Sequence, residues 1–425
     1  MNTLQANGFA PVTSALRPDG VAWTVRDKLL LGLSPRNYIQ TLVRNPFNWI
    51  ILLIYLVGLP VLVGRFIYGL GWATHASYEY PWGLFLGWGL FTMVPLSASG
   101  FMLGTTVELF GRKDFKPIER LGLLNGLLGY FFAVVFLEVD LGQPWRLIYP
   151  MFVSLGPAAV LFLVAWHVAT YLSVQIAELV PAFSELFGLP RAKTFIRSIV
   201  LGLTVSGIIL STLHQGALGA LFTYAPGKVH PLWLSTSFQW FHFFVSAIFA
   251  GLSMLIVVST ICARTMRWRC DSNFLDNLDR LTLGLSKGCA LALITYLVTK
   301  FIGIAHDNEW EYLLSSWGGW FILETLVGVV LPLVLFTGAL RREQVSLARL
   351  AALLAVIGII LNRLNTAIFA YNWQLYQEIP HWREVVISLV VYTTYIVVYR
   401  AILARLPILY TWRNDAATPS SLPKQ

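Results

Sequence analysis

The sequence predicts an all-α, polytopic membrane protein of about ten transmembrane helices, and three observations support this. The 425-residue chain is 57% hydrophobic and only 12% charged, whereas soluble domains are about 25% charged. Its apolar residues are grouped in runs of about 20 residues, the length of helix that crosses a bilayer. Its 16 Trp, 17 Tyr and 27 Phe residues suit the interfacial belts of membrane helices better than a water-soluble core.

The apolar runs place the predicted helices along the chain. They span residues 47–70, 81–109, 118–139, 157–180, 196–216, 234–262, 280–302, 314–338, 346–371 and 385–404. Residues 1–46 contain several basic residues and no uninterrupted apolar core, so we predict a cytoplasmic N-terminal extension and not a cleaved signal peptide. The transmembrane domain then covers residues 47–405, and residues 406–425 form a cytoplasmic C-terminal tail.

The distribution of Lys and Arg predicts the orientation. Of the 30 basic residues, 24 lie in or beside the N-terminal segment, alternate connections and the C-terminal tail. The other connections hold five of them: Arg65, Arg146, Lys228, Lys300 and Arg383. Cytoplasmic loops of membrane proteins are enriched in Lys and Arg, so both termini are predicted to be cytoplasmic. The net charge of +9 follows from the same rule, without a nucleic-acid partner.

Cysteine and histidine limit which cofactors the chain itself can hold. The three cysteines are Cys262, Cys270 and Cys289. They lack C-x-x-C spacing, so we expect neither an iron–sulfur cluster nor a disulfide framework. A bis-histidine haem needs two histidines at matching depth on adjacent helices, and His214 with His242 is the pair to consider. We expect no haem, cluster or metal in this chain, so a redox role would depend on a partner that supplies the electrons.

The fourth predicted helix carries a polar stripe. His167, Tyr171, Gln175 and Glu178 recur at the spacing of one helical face. An ionisable side chain at bilayer depth costs at least about 2.5 kcal/mol, so such residues usually face a bundle interior or a wet cavity. The stripe is typical of a proton pathway toward the cytoplasm. A polar seam satisfied by neighbouring helices is the alternative.

Two later helices carry polar residues near mid-membrane. Glu324 lies in the eighth predicted helix, and Asn362, Arg363 and Asn365 lie in the ninth. We expect Glu324 and Arg363 to pair in or beside a functional cavity, with a purely structural ion pair as the alternative. Glu324 also extends the predicted proton pathway. Glu108, at the inner end of the second helix, is expected to cap or snorkel, with proton entry as the alternative.

Polar residues also concentrate at the outer ends of the third and fifth helices. Glu138, Asp140 and Arg146 lie at or beyond the outer end of one helix, and His214 and Gln215 lie at the outer end of the other. Acid, base and amide groups at a membrane boundary are what a quinone headgroup needs, because two carbonyl oxygens must be hydrogen-bonded and two protons exchanged. Helix capping and loop anchoring are the alternative, which we favour for Arg146 taken alone.

Several motifs resemble those of a known family. Residues 213–219 (LHQGALG), followed by residues 227–233 (GKVHPLW), resemble the signature stretch of the NrfD/PsrC family, especially its ten-helix branch. Residues 80–83 (YPWG), 138–144 (EVDLGQP) and 362–365 (NRLN) resemble further motifs of that family, in the expected order. The resemblance covers roughly residues 47–405, and it departs at Gln143, where the family often has a basic residue.

The resemblance implies a fold and a function. The fold would be two four-helix bundles with one additional helix at each end, in the inner membrane of a bacterium or archaeon. Family members are similar to membrane subunits of nickel–iron hydrogenase, sulfite-reduction-associated and menaquinone reductase complexes of anaerobic respiration. Such a subunit carries no redox cofactor. It exchanges electrons between menaquinone and an extracytoplasmic, ferredoxin-like subunit with several iron–sulfur clusters, alongside further catalytic or cytochrome c subunits.

The resemblance and the polar residues together give the predicted site, and residues 47–405 become a quinone-binding domain. The predicted quinone-binding residues are Glu138, Asp140, His214, Gln215, Arg363 and Asn365, and the predicted docking residues are Arg146, Lys228 and His230. Protons would exchange either with the outer aqueous phase or through Glu324 and the stripe of the fourth helix, which would couple the reaction to proton translocation. Two alternatives stay open: a secondary transporter with an intramembrane Glu/Arg site, and a b-type cytochrome.

Overall fold

A computed structural model describes residues 12–16, 21–225, 227–375 and 380–413. Within these residues, ten helices are long and apolar enough to cross a membrane. We number them α1 (Pro46–Tyr68), α2 (Phe85–Leu109), α3 (Lys113–Asp140), α4 (Val160–Phe187), α5 (Pro190–Thr223), α6 (Gln239–Thr265), α7 (Ser272–His306), α8 (Ser316–Arg342), α9 (Val345–Phe369) and α10 (Trp382–Arg405). The predicted all-α, polytopic membrane fold is confirmed.

Local sequence signals determine where these helices begin and end. The Asn45 side chain accepts a hydrogen bond from the first turn of α1, and Asp271 caps α7 in the same way. Gly188, with a φ of 72°, ends α4 in a left-handed conformation that favours glycine. Helices α4, α5 and α7 are longer than their predicted apolar runs, because polar turns continue them beyond the apolar segment.

The helices form two bundles and an outlying pair. Helices α2 to α5 pack together, as do α6 to α9, and α6 joins the bundles through its contacts with α2. Helices α1 and α10 pack against each other, and α10 also contacts α3. This matches the expected two four-helix bundles with one helix at each end. The joint is close, because a Cβ on Gly251 of α6 would lie 2.6 Å from the backbone nitrogen of Ser99 in α2.

Three of the helices are irregular within their spans. Helix α2 begins and ends in π-helical turns, Phe85–Leu90 and Thr105–Leu109, and is interrupted after Pro95. Helix α8 contains a π-helical turn at Leu326–Val330, and α9 ends in one at Asn365–Phe369. Such turns occur frequently at functional sites. The apolar pattern of the sequence did not predict them.

We call the side on which α1 begins the inner side, which the charge pattern predicts to be cytoplasmic, and the opposite side the outer side. The chain segments at both ends fold against the inner ends of the helices. The Arg269 guanidinium donates to the Tyr410 hydroxyl at 2.8 Å, which donates to the Val12 carbonyl at 3.3 Å. The first part of the predicted C-terminal tail, residues 406–413, is therefore packed against the bundle. Residues 1–11 and 414–425 lie outside the described residues.

Candidate functional site

A chain of polar side chains runs through the first bundle. The hydroxyl of Tyr130 in α3 is hydrogen-bonded to Nε2 of His214 in α5, and Nδ1 of His214 lies 2.7 Å from the carbonyl oxygen of Leu210. The Gln215 amide donates to the Tyr130 hydroxyl at 3.1 Å. All of these side chains are buried. Both ring nitrogens of His214 are thus engaged by protein groups.

The same chain continues inward along α4. The ring of Tyr171 lies 4.8 Å from that of Tyr130, and the Gln175 amide donates to the Tyr171 hydroxyl at 3.0 Å. Gln175 fits between α2 and α3 because glycine stands opposite it, since a Cβ on Gly126 would lie 2.3 Å from its Nε2. We call His214, Tyr130, Tyr171, Gln175 and Glu178 the first-bundle chain. It joins residues that the sequence had divided between quinone binding and proton transfer.

The inner end of the first-bundle chain approaches the inner aqueous surface. Glu178 accepts a hydrogen bond from the Thr204 hydroxyl at 3.5 Å and lies within electrostatic range of Glu119. Lys116, whose side chain is 59% exposed, forms ion pairs with Glu119 at 2.7 Å and Glu108 at 2.8 Å. Carboxylates therefore continue from Glu178 to solvent, and Glu108 is one of them.

His167 lies outward of Tyr171 on the same face of α4, as the spacing predicts. It is half-buried, and its Nδ1 has no hydrogen-bond partner among the described residues. His167 is also within electrostatic range of His214. The predicted stripe on α4 therefore faces the bundle interior over its whole length.

The second bundle contains a hydrogen-bonded network around Glu324. Its carboxylate accepts from the indole of Trp233 at 2.6 Å, from the amide of Asn362 at 2.7 Å and from the amide of Asn365. The Arg363 guanidinium donates to the Asn362 oxygen at 2.9 Å. We call these five residues the second-bundle network. The sequence had suggested a direct pair between Glu324 and Arg363. The two do not pair directly, because Asn362 lies between them and is hydrogen-bonded to both.

The second-bundle network reaches the protein surface through Trp320. The indole of Trp320 donates to the side-chain oxygen of Asn365 at 3.1 Å, and the Trp320 side chain is 37% exposed. It borders an open groove of about 460 Å³ at the outer ends of α8 and α9. The groove is lined by Ser316, Trp317, Trp320, Leu361 and Phe369. Its walls are therefore mainly aromatic and apolar, with a buried polar network behind them.

A third polar group, at the outer junction of α1, α2, α3 and α10, was not predicted as a unit. Arg65 is 1% exposed, and its Nε donates to the Val139 carbonyl at 2.7 Å. Asp140 interacts electrostatically with both Arg65 and Glu384. Gly83, the glycine of the YPWG motif, leaves room for Glu384, because a Cβ there would lie 2.3 Å from the Glu384 carboxylate. This junction explains why the motif ends in glycine.

The four residues expected to meet at the outer ends of α3 and α5 are separated in the structure. Tyr130, which binds His214, precedes Asp140 by ten residues, or about 15 Å along a helix. Glu138 is exposed. Asp140 therefore belongs to the outer junction, whereas His214 and Gln215 belong to the first-bundle chain.

The predicted docking residues differ in accessibility. Arg146 is exposed, and Lys228 is half-buried. His230 is buried under aromatic rings, with the Trp373 ring at 4.6 Å, and its Nδ1 accepts from the backbone N–H of Leu232. Burial lowers the pKa of His230 to about 4. The assignment of His230 to docking is corrected, because its side chain packs inside the loop and does not face a partner.

Sequence reasoning missed several buried polar residues. Lys300 and Arg65 were counted as loop residues, but they are only 7% and 1% exposed and lie inside α7 and α1. Their position inside apolar runs was the available signal. Tyr130 and Trp233 gave no such signal, because aromatic residues are common throughout the sequence.

The described residues do not fit a haem between His214 and His242. Both ring nitrogens of His214 are engaged, and His242 faces a cavity of about 10 Å³ beside Lys300. Among the described residues, no group of three or more His, Cys, Asp or Glu side chains is arranged to hold a metal ion.

Comparison with known proteins places this geometry in a family. The chain is 40% identical over 369 residues to a protein of Nitratidesulfovibrio vulgaris, covering 86% of this chain and 95% of the relative. It is 27% identical to the probable Ni/Fe-hydrogenase 2 b-type cytochrome subunit of Escherichia coli, over 82% of this chain and 88% of that subunit. It is 26% identical to the menaquinone reductase integral membrane subunit of N. vulgaris, over 74% of this chain and 83% of that subunit. The family model "Polysulphide reductase, NrfD" matches residues 72–374, and the chain therefore belongs to the NrfD family of multi-pass membrane proteins.

Proposed function

We propose that this chain is the quinone-reactive membrane subunit of a respiratory redox complex, exchanging electrons between an extracytoplasmic iron–sulfur subunit and menaquinone. The observation that carries the proposal is the groove of about 460 Å³ that ends at the second-bundle network. Ligand sites typically have about 300–1,000 Å³, apolar walls and a few polar groups. The similarity to the integral membrane subunit of menaquinone reductase supports the same substrate class.

The geometry suggests how the headgroup binds. The Trp320 indole donates to Asn365, which in turn donates to Glu324. In the oxidised state, a quinone carbonyl would accept the hydrogen bond of the Trp320 indole in place of the Asn365 oxygen. After reduction, the free Asn365 oxygen could accept a hydrogen bond from a quinol hydroxyl. Arg363 shapes this site through Asn362. Menaquinone takes up two electrons from the partner and two protons on reduction to menaquinol, and the reverse step releases them.

The first-bundle chain is our candidate for proton exchange with the cytoplasm, the predicted inner side. It connects His214 through Tyr171 and Gln175 to Glu178 and the carboxylates beyond it. Proteoliposomes supplied with a quinone and a reductant should then develop a membrane potential that Glu178→Gln or His167→Ala abolishes. An undiminished potential in both variants would refute the first-bundle chain as the proton route, because proton exchange with the outer phase alone carries no charge across the membrane.

The α3–α4 connection is our candidate docking surface for the iron–sulfur subunit. It exposes Trp145 at 69%, Ile148 at 60% and Phe152 at 78%, next to the exposed Arg146. Large apolar side chains rimmed by charge are typical of protein interaction sites. Lys228, in the α5–α6 connection on the same outer side, extends this surface. Further catalytic or cytochrome c subunits would join through the iron–sulfur subunit.

Quinone affinity tests the proposed site. Trp320→Phe keeps an aromatic wall but removes the donor, and it should weaken binding of a short-chain menaquinone about tenfold, the equivalent of one buried hydrogen bond. Trp240→Phe is the matched control, because Trp240 is 52% exposed and donates only to the nearby Ser237 carbonyl. Titration of each variant by quenching of tryptophan fluorescence gives the affinity. Unchanged affinity in both Trp320→Phe and Asn365→Ala would refute this site.

Purification in mild detergent separates the classes of function. Co-purification of a multi-cluster iron–sulfur protein supports the proposal. A haem spectrum in the isolated chain would instead favour a b-type cytochrome, as the E. coli relative is named. A colourless, iron-free chain that emerges alone, under conditions that retain known complexes, would favour the secondary transporter.

A further inference from the structure

A small cavity lies at the outer side of the second bundle, apart from the groove. Its lining includes the side chains of Ser235, His242, Lys300 and Glu309. Its volume is about 10 Å³, close to the minimum that holds one water molecule, which needs two to four polar partners. The four polar side chains meet that requirement.

Two buried polar side chains border this cavity. Lys300 is 7% exposed and His242 is 3% exposed. Within the described part of the chain, neither ring nitrogen of His242 has a hydrogen-bond partner. The Lys300 ammonium lies 5.1 Å from the centre of the Phe321 ring. Because unpaired buried polar groups are costly, a water molecule in the cavity is the natural partner for both.

Three charged groups lie within electrostatic range of Lys300. Glu324 of α8 lies inward, Arg363 of α9 lies on the same side as Glu324, and Glu309 lies outward in the α7–α8 connection. Glu309 is half-buried, so it contacts both the cavity and the outer solvent. The order Glu324, Lys300, cavity, Glu309 therefore joins the second-bundle network to the outer aqueous phase.

We propose that Lys300, the cavity and Glu309 form a proton-transfer station between the second-bundle network and the outer aqueous phase. The Lys300 ammonium gives a proton through the cavity water to the Glu309 carboxylate, which releases it to solvent, and the neutral amine is reprotonated from the Glu324 side. This inference rests on the proposed quinone function, because oxidation of a quinol at the network supplies the protons. It gives the second bundle an outward route distinct from the first-bundle chain.

The protonation behaviour of Glu309 is consistent with this role. Burial, together with the negative charge of Asp307 beside it, raises the pKa of Glu309 to about 7, against the opposing effect of Lys300. Proton transfer is most efficient when the pKa of the group lies near the working pH. Glu311, in the same connection, is exposed and does not line the cavity.

Infrared spectroscopy tests the station without any quinone activity. Wild-type protein should lose a protonated-carboxyl band as the pH rises through 7. Because other carboxyl groups of the protein also contribute to this band, the test is the difference between wild type and variant: the amplitude of the loss should be smaller in Glu309→Gln and unchanged in the control Glu311→Gln. An amplitude in Glu309→Gln equal to that of the wild type would overturn the proposal.

Turnover in proteoliposomes tests the transfer itself. Quinol-driven proton release to the outer side should slow on the order of tenfold in Glu309→Gln, recover in Glu309→Asp and stay normal in Glu311→Gln. Lys300→Arg keeps the positive charge but does not deprotonate, so it should slow release and flatten the pH profile. Normal release in both Glu309→Gln and Lys300→Arg would refute the station. A wild-type protein without quinone turnover would refute the proposed function instead. The infrared titration would still decide whether Glu309 exchanges a proton near pH 7.

Discussion

Replacing Glu324 with glutamine should lower the free energy of unfolding by about 1–3 kcal/mol, the cost of leaving one buried donor unpaired. The Glu324 carboxylate accepts from three donors, one each on Trp233, Asn362 and Asn365. A glutamine offers one oxygen and one NH₂ group, which donates and does not accept. At least one N–H must therefore face another N–H inside the bundle.

The two asparagines cannot relieve this conflict by rotating their amides. The oxygen of Asn362 already accepts from Arg363, and that of Asn365 accepts from Trp320. Trp233 and Asn365 donate to one carboxylate oxygen of Glu324 and Asn362 donates to the other, so the new NH₂ group faces Asn362. Removing the Arg363 donor frees Asn362 to turn its oxygen toward this NH₂ group. The double variant Glu324→Gln/Arg363→Met should therefore be more stable than the sum of its single variants predicts, by about 0.5–3 kcal/mol.

A double-mutant cycle measured in mixed micelles of dodecylmaltoside and SDS gives both quantities. Glu311→Gln is the control, because Glu311 is exposed and its loss should leave the unfolding midpoint unchanged. Two results would refute the reasoning. A Glu324→Gln variant as stable as the wild type would mean that the Glu324 carboxylate does not accept all three hydrogen bonds, and strict additivity would mean that the amide directions are not coupled.

Two further predictions concern the first bundle and the outer loop. Gly126→Ala should lower the free energy of unfolding by about 1–3 kcal/mol through overpacking, because its Cβ would lie 2.3 Å from Gln175 Nε2. The control Gly202→Ala should leave the stability unchanged, because no atom lies within 4 Å of its Cβ. Equal thermal midpoints for the two variants would contradict this. The pKa of His230 is lowered to about 4 from 6.5, so the stability that its neutral ring contributes is fully present above pH 6.5 and is lost toward pH 4. Wild-type protein should therefore lose about 2 kcal/mol more than His230→Asn between pH 7 and pH 5, and identical pH dependence would show that the ring is not buried in neutral form.

The sequence predicted the helices well because lipid imposes a length and an apolar composition that are read directly from the chain. The ends were less predictable, since α5 continues well beyond its apolar run 196–216 to span Pro190–Thr223. Depth along a helix was also predictable, and it correctly placed Glu324 near the polar residues of α9. Whether a basic residue near the end of a span points outward or inward depends on the rotation of the helix, so charge counting misassigned Lys300.

Pairings between distant helices were not predictable from one sequence. His214 was assigned to the outer boundary because it lies in a polar motif, but its partner is Tyr130, on a helix with no distinguishing signal. The assignment of His230 to docking failed for a similar reason. Its loop position suggested exposure, whereas four aromatic rings cover it, those of Trp233, Tyr312, Trp317 and Trp373.

The pairing of α1 with α10 has a consequence for how the chain is assembled in the membrane. The contact is specific, since the hydroxyls of Tyr55 and Thr394 are 3.1 Å apart and a Cβ on Gly58 would overlap Val390. Helix α1 therefore lacks this partner in the membrane until α10 has been synthesised. A nascent chain that stops before α10 therefore leaves the glycine-containing face of α1 exposed to lipid, so this pairing completes only at the end of synthesis of the transmembrane domain.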